Sequence, residues 1–326
     1  MSVRRGMLTL LLALAPISAM AAQQVADRCT PAMTTLQLDA PAFAPERITV
    51  DIYLPGDYAR SGRARYPVLY ANDGQDMEAV KLVPTLAGLC RRRALREPIV
   101  VAVHMLRDRA SGYGLSDRAT RRSIVGGSKI GPIGTRAYDY SQWFATQLVP
   151  YVDAHYRTLR SPRARSVLGW SLGALNAFNL GWNHPETFGT VGAFSPSFWL
   201  AADRSSDETA QRTRLAQRMV DRGPKRKGMR FWIAAGTAEE TNDRDHDGVI
   251  DVIDDIGDLV NGYRAPDGFH ERGLRQLGYT INMDYAAHSD SAADVSVYLL
   301  PGGQHNQASW AKMLPLFLRW DYGTRG

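Results

Sequence analysis

Gly169-Trp170-Ser171-Leu172-Gly173 sets a hydroxyl between two glycines, each two residues away. This is the spacing a nucleophilic serine needs on a sharp turn from a strand into a helix. The glycines keep side chains clear of both elements, and the turn lifts the hydroxyl above the strand ends. The bare pattern is common by chance, so its context decides. Residues 165–168 read as a short buried strand, and 172–182 as a helix following it almost without a gap. The N–H of Leu172, at that helix's start, would point at a developing oxyanion.

A serine needs a base, and this arrangement expects it late in the chain, after an acid. His305 follows Gly302-Gly303-Gln304 directly behind the apolar run 295–300, at the end of a strand where α/β sheets hold site residues. His270 and His288 lack such a strand and read as solvated surface histidines. For the orienting acid, Glu239 in Gly236-Thr237-Ala238-Glu239-Glu240 leads, with Glu240 and Asp243 as rivals. The second oxyanion amide is expected from Asn72-Asp73-Gly74-Gln75-Asp76, as the N–H of Gln75 or Asp76; an ordinary Asp-Gly turn is the alternative.

Just beyond the acid, Asp243, Asp245, Asp247, Gly248, Val249 and Asp254 fall at positions 1, 3, 5, 6, 7 and 12 of a calcium-loop template. Position 12 is Asp where the template has Glu, and the preceding element reads as a strand, which makes this an isolated loop. So many carboxylates in twelve residues repel one another unless a cation sits among them. A structural calcium is expected, stiffening the acid-bearing segment and taking no part in bond cleavage. No cofactor is expected for catalysis itself.

The elements that must position these residues alternate. Half-buried or buried strands are expected at 48–54, 66–70, 98–104, 165–168, 190–194, 230–235, 280–285 and 295–300. Helices are expected at 77–95, 138–156, 172–182, 207–222 and 307–319. That alternation predicts the α/β class: a mostly parallel central sheet with helices on both faces. The segment 107–136, rich in Gly, Ser and Arg, is long enough to be a lid that sets pocket size.

Arg4 and Arg5, the apolar run 7–16 and Ala19-Met20-Ala21 read as a signal peptide over 1–21, with a mature start near Ala22. The expected protein is periplasmic or secreted, with no membrane span once the leader is removed. No linker, repeat or low-complexity tract divides 22–326, so one domain is expected. Net charge is +6, of which Arg4 and Arg5 supply two, leaving +4 on the mature chain. The charges are scattered, and the densest basic run, Arg91-Arg92-Arg93, suits a helix C-terminus, so no nucleic-acid partner is expected. In an oxidising compartment Cys29 and Cys90 could pair and tie the N-terminal arm to a helix; two buried thiols are the alternative.

From about Ile48 to Trp320 the chain resembles the Putative esterase family, which includes enterochelin esterases, feruloyl esterases and mycolyltransferases. The resemblance rests on Gly169–Gly173, Ala193-Phe194-Ser195-Pro196-Ser197-Phe198-Trp199, Gly236–Glu239, and Gly302–His305 followed by Trp310. The Asp73-Gly74-Gln75 turn is similar to that of the enterochelin-esterase branch. It implies the α/β-hydrolase fold and a Ser171–His305–Glu239 triad, with Trp170, Ser195, Ser197, Phe198 and Trp199 around the substrate. The expected activity is hydrolysis of a small-molecule carboxylic ester, enterochelin-esterase-like. A mycolyltransferase-type acyltransferase, a feruloyl or acetyl esterase for carbohydrate esters, and a non-catalytic binding protein are the alternatives.

Overall fold

The computed structural model describes residues 28–129, 131–289 and 292–324, and the expected leader and mature start lie outside them. Nine strands form one sheet: β1 (Ala32–Asp39), β2 (Arg47–Leu54), β3 (Val68–Ala71), β4 (Ile99–Val103), β5 (Arg165–Trp170), β6 (Thr190–Phe194), β7 (Arg230–Gly236), β8 (Ile281–Asn282) and β9 (Val295–Leu300). Their order is β1-β2-β4-β3-β5-β6-β7-β9-β8, antiparallel at the β1, β2 and β4 pairings and parallel from β4 to β8. The expected α/β class holds.

The parallel strands are buried on both faces because successive side chains serve different layers. On β5, Val167 joins one core and Leu168 the other; on β7, Phe231 and Trp232 divide in the same way. Helices α1 (Leu82–Arg91) and α7 (Gln307–Tyr322) cover the Leu168–Trp232 side. Helices α2 (Ala137–Trp143), α3 (Val149–His155), α4 (Leu172–Asn183), α5 (Leu215–Arg222) and α6 (Asp251–Asn261) cover the other.

Several boundaries differ from expectation for local reasons. The helix expected at 77–95 starts only at Leu82, since Lys81 sits in the left-handed region at φ 58°. The helix expected at 138–156 widens into a π turn, Phe144–Leu148, just before Pro150, which has no N–H to give its preceding turn. The span expected at 207–222 is two helices, Asp207–Arg212 and α5, broken where Arg214 turns inward to Asp255 and Asp258. Strand β1 was missed by pattern: only Leu36 and Leu38 are half-buried among polar neighbours, yet it pairs with β2 along its whole length.

Cys29 and Cys90 form a disulfide with Cα atoms 5.5 Å apart, tying the chain ahead of β1 to the end of α1. Among the described residues, no helix is long and apolar enough to cross a membrane.

Arg214 is only 1% exposed and holds the buried Asp255 at 2.5 Å, with Arg244 on the same carboxylate. Arg214→Met should cost about 3 kcal/mol, since it removes one of two cations from a buried anion. Urea unfolding should show this as a lower midpoint at unchanged slope.

Candidate active site

The parallel register brings the strand ends level. Gly169 pairs with Ala193, Trp170 with Phe194, and Gly236 with Leu300. Ser171 therefore emerges beside Ser195 and the loops bearing Glu239 and His305. Ser171 sits between β5 and α4 with φ 56° and ψ −127°, a conformation rarely adopted by a residue with a side chain. Its N–H donates to the Phe194 carbonyl at 3.0 Å, which anchors the turn to β6. The two elbow glycines are sterically required. A Cβ on Gly169 would lie 2.1 Å from the Gly173 carbonyl oxygen, and one on Gly173 would lie 2.4 Å from Asp73 Oδ2.

The Asp73 loop braces the elbow from beneath. Asn72 Nδ2 donates to the Gly173 carbonyl at 2.8 Å. Arg109 grips Asp73 through both carboxylate oxygens at 2.7 and 2.8 Å, and its Nη2 also reaches the Trp170 carbonyl at 3.3 Å. Burial pushes the Asp73 carboxyl up, and the Arg109 guanidinium opposes that shift. The N–H of Asp76 is spent on the Asp73 carbonyl at 2.9 Å. Asp76 is therefore corrected as an oxyanion donor, and Gln75 remains the candidate beside Leu172. The Asp76 side chain instead accepts from Trp170 Nε1 at 2.9 Å.

Glu239 and His305 meet as expected. His305 Nδ1 lies 2.9 Å from Glu239 Oε2. A carboxylate accepts a hydrogen bond from Nδ1–H, and in the neutral ring that tautomer leaves the Nε2 lone pair facing away from Glu239. The Glu239 side chain is 1% exposed, whereas that of His305 is 42% exposed. Its other oxygen, Oε1, accepts from Ser195 Oγ at 2.6 Å and from the Gly236 N–H at 2.5 Å. Ser195 in turn accepts from Trp310 Nε1 at 2.8 Å, and the Trp310 ring meets His305 edge to face.

The loops carrying Glu239 and His305 are also strapped together by backbone. Ala238 N–H donates to the Gly303 carbonyl at 2.9 Å, and Thr237 N–H to Leu300 at 3.0 Å. A Cβ on Gly236 would lie 2.2 Å from the Gly303 oxygen, so this approach requires glycine.

The rival assignments go elsewhere. Glu240 accepts from Val252 N–H and Asn242, Asp243 accepts from the Asp247 and Gly248 N–H groups, and His270 and His288 are exposed.

A cavity of about 430 Å3 opens above Ser171, Leu172 and His305. Ser197 and Trp199 line it as expected. Trp170 does not: its indole is buried and stacks on Trp310. Nor does Phe198, which packs edge-on against Phe178, or Ser195, whose hydroxyl is spent beneath Glu239. These three are corrected from substrate contacts to supports. Among the described residues, no hydrogen bond joins Ser171 Oγ to His305; such bonds are often long before a substrate tightens them.

Sequence reasoning missed Arg109, Lys129, Ile133, Arg204, Asn242, Arg244 and Asp251 in the cavity wall. Lys129 and Ile133 belong to the 107–136 segment suspected as a lid, which folds into two small hairpins, Leu115–Asp117 with Arg122–Ile124 and Gly126–Ser128 with Gly131–Ile133. Asn242 directly precedes the aspartate loop, and Arg244 and Asp251 lie within it. In that loop, oxygens of Asp243, Asp245, Asp247 and Asp254 all lie within 4.8 Å of one another. Burial and the neighbouring Asp247 and Asp245 push the Asp254 carboxyl up to about 7.

A ferulic acid esterase superposes with a TM-score of 0.60 at 16% identity, over 90% of this chain and 98% of that one. The enterobactin esterase FES from Shigella flexneri gives 0.61 at 17%, covering 90% and 60%. An IroE-like serine hydrolase from Shewanella oneidensis gives 0.59 at 17%, covering 89% and 79%. At such identities the likeness speaks for the fold alone. By sequence, YbbA of Bacillus subtilis (strain 168) is 25% identical over 154 residues, 45% of this chain and 56% of that protein. YjcH of the same organism is 27% identical over 167 residues, 50% of this chain and 62% of that protein. The chain thus spans less than two thirds of these curated relatives. Residues 42–257 match the model of the Putative esterase family, and with well over half its length covered, the chain belongs to that family and is built on the α/β-hydrolase fold.

Proposed function

We propose that this protein is an exported serine esterase that hydrolyses a small-molecule carboxylic ester, in the manner of the enterochelin esterases. The observation that carries the reading is the hydrogen bond from His305 Nδ1 to the buried Glu239, with Ser171 lining the same cavity. Ser171 Oγ attacks the ester carbonyl as His305 Nε2 takes its proton. The N–H groups of Leu172 and Gln75 hold the oxyanion. Collapse of the tetrahedral intermediate breaks the bond to the alcohol oxygen, which receives the proton from His305. Water, deprotonated by the same ring, then releases the acid and restores Ser171. Glu239 keeps the ring in the needed tautomer throughout. The exposed edge of His305 favours water over an alcohol as the second nucleophile.

Hydrolysis of p-nitrophenyl acetate and butyrate tests this directly. Ser171→Ala should lower kcat by at least about 10^4-fold. Turnover equal in both proteins would end the proposal. Glu239→Gln should lower kcat by about 10^3- to 10^4-fold with KM little changed, because the ring loses its orienting anion but the cavity stays intact. An undiminished kcat would show that Glu239 is not the orienting acid.

The aspartate loop is proposed to hold one calcium ion through Asp243, Asp245, Asp247, Asp254 and the Val249 carbonyl. Carboxylate oxygens within 4.8 Å of one another fit a single ion with ligands at about 2.3–2.6 Å. Asn242, Arg244 and Asp251 carry the loop into the cavity wall, so the ion would stiffen the segment following Glu239. At free calcium a hundredfold above Kd, the added stability should be about 2.7 kcal/mol. Chelation should then lower the melting temperature and weaken esterase activity, both restored by calcium. If neither quantity changes, no structural ion is held there.

A further inference from the structure

The charges around the cavity do not balance, and the imbalance bears on what enters it. Four cations line the wall: Arg109, Lys129, Arg204 and Arg244. Arg109 is committed to Asp73 through two hydrogen bonds. Arg244 is committed to Asp251 and Asp255. The wall's carboxylates are also taken, Asp251 by Arg244, and Glu240 by the Val252 N–H and Asn242. Glu239, beneath the wall, already accepts three hydrogen bonds.

Lys129 and Arg204 are different. Among the described residues neither meets a carboxylate. Arg204 only donates to the Trp199 carbonyl at 3.2 Å, with its guanidinium 5.2 Å from the Trp199 ring centroid. Its side chain also runs along the hairpin that carries Lys129, since a Cβ on Gly127 would meet Arg204 Cδ at 4.0 Å. Gly127 N–H donates to the Ala201 carbonyl at 3.1 Å, which ties that hairpin to the segment bearing Arg204. Two separate stretches of chain thus bring unneutralised cations to one mouth, beside an indole and above an apolar floor of Leu172 and Ile133.

Resting on the esterase reading above, we propose that Lys129 and Arg204 form an anion subsite, and that the substrate is an ester carrying a carboxylate or phosphate group on its acyl or alcohol portion. Both cations are exposed. Their contribution is therefore a moderate preference that salt weakens.

Two matched pairs of esters test this on the whole protein. Mono-p-nitrophenyl adipate against p-nitrophenyl hexanoate places the charge on the acyl side. The 4-carboxyphenyl ester of hexanoate against its 4-acetylphenyl ester places it on the alcohol side. In one pair, kcat/KM should favour the anionic member by about tenfold. That ratio should fall toward one in the double variant Lys129→Gln/Arg204→Gln, and in the unaltered protein as sodium chloride is raised. Ratios near one in both pairs, with turnover still dependent on Ser171, would overturn the subsite and leave the esterase reading standing. So would a preference that survives the double substitution. If no ester is turned over, the esterase reading fails, and calorimetry with monoethyl adipate decides the subsite alone. Binding that the double variant weakens supports it, and no binding overturns it.

Discussion

A non-glycine residue held at positive φ costs of order 1–3 kcal/mol, and it persists only where its surroundings leave it no alternative. Ser171 is in that position, and much of the architecture around it restrains it. The Phe194 carbonyl takes its N–H from one side. Asn72 ties down the Gly173 carbonyl from another, and Arg109 bridges Asp73 to the carbonyl of Trp170. The start of α4 is thereby fixed relative to β3, β5 and β6 together. The glycines at 169 and 173 follow from the same constraint, because the turn leaves no room for a Cβ at either place.

A second constraint joins Glu239 to His305. Glu239 has its side chain almost wholly buried, and its oxygens accept from His305, Ser195 and its own loop's Gly236 N–H. Burying a carboxylate is tolerable only when donors surround it. Trp310 on α7 extends this chain of donors through Ser195. The last helix, packed on the opposite face of the sheet from α4, therefore helps set the orientation of the imidazole at the strand ends. The neighbouring Glu240 faces a different task, since it accepts the Val252 N–H at the start of α6.

The scaffold and the cavity wall are built by different means. Strands and helices supply Ser171 and brace Glu239 and His305, whereas Ser128, Lys129, Ile133, Arg204, Asn242 and Arg244 come from hairpins and loops. A rigid sheet with a variable rim is a common division of labour in α/β proteins, because loops tolerate changes of charge and shape that strands do not. Here the rim carries the cations Lys129 and Arg204 together with residues of the aspartate loop.

The sequence by itself determined the strand–helix alternation, the elbow at Ser171, the candidates Glu239 and His305 that follow in that order, and the spacing of the aspartate loop. Each is a local pattern, fixed by side-chain periodicity or by the few residue types a tight turn accepts. It could not separate Gln75 from Asp76, because that depends on which N–H the turn consumes. Nor could it show that Trp170, Ser195 and Phe198 face inward, since motif position says nothing of which way a side chain points once strands are in register. The edge strand β1 was hidden for a related reason: its partner is antiparallel β2, and its own residues are mostly exposed. The pairing of Cys29 with Cys90, the inward turn of Arg214 and the meeting of Lys129 with Arg204 at one mouth all join residues far apart in the chain. Only the folded packing decides such distances, because no local pattern encodes them.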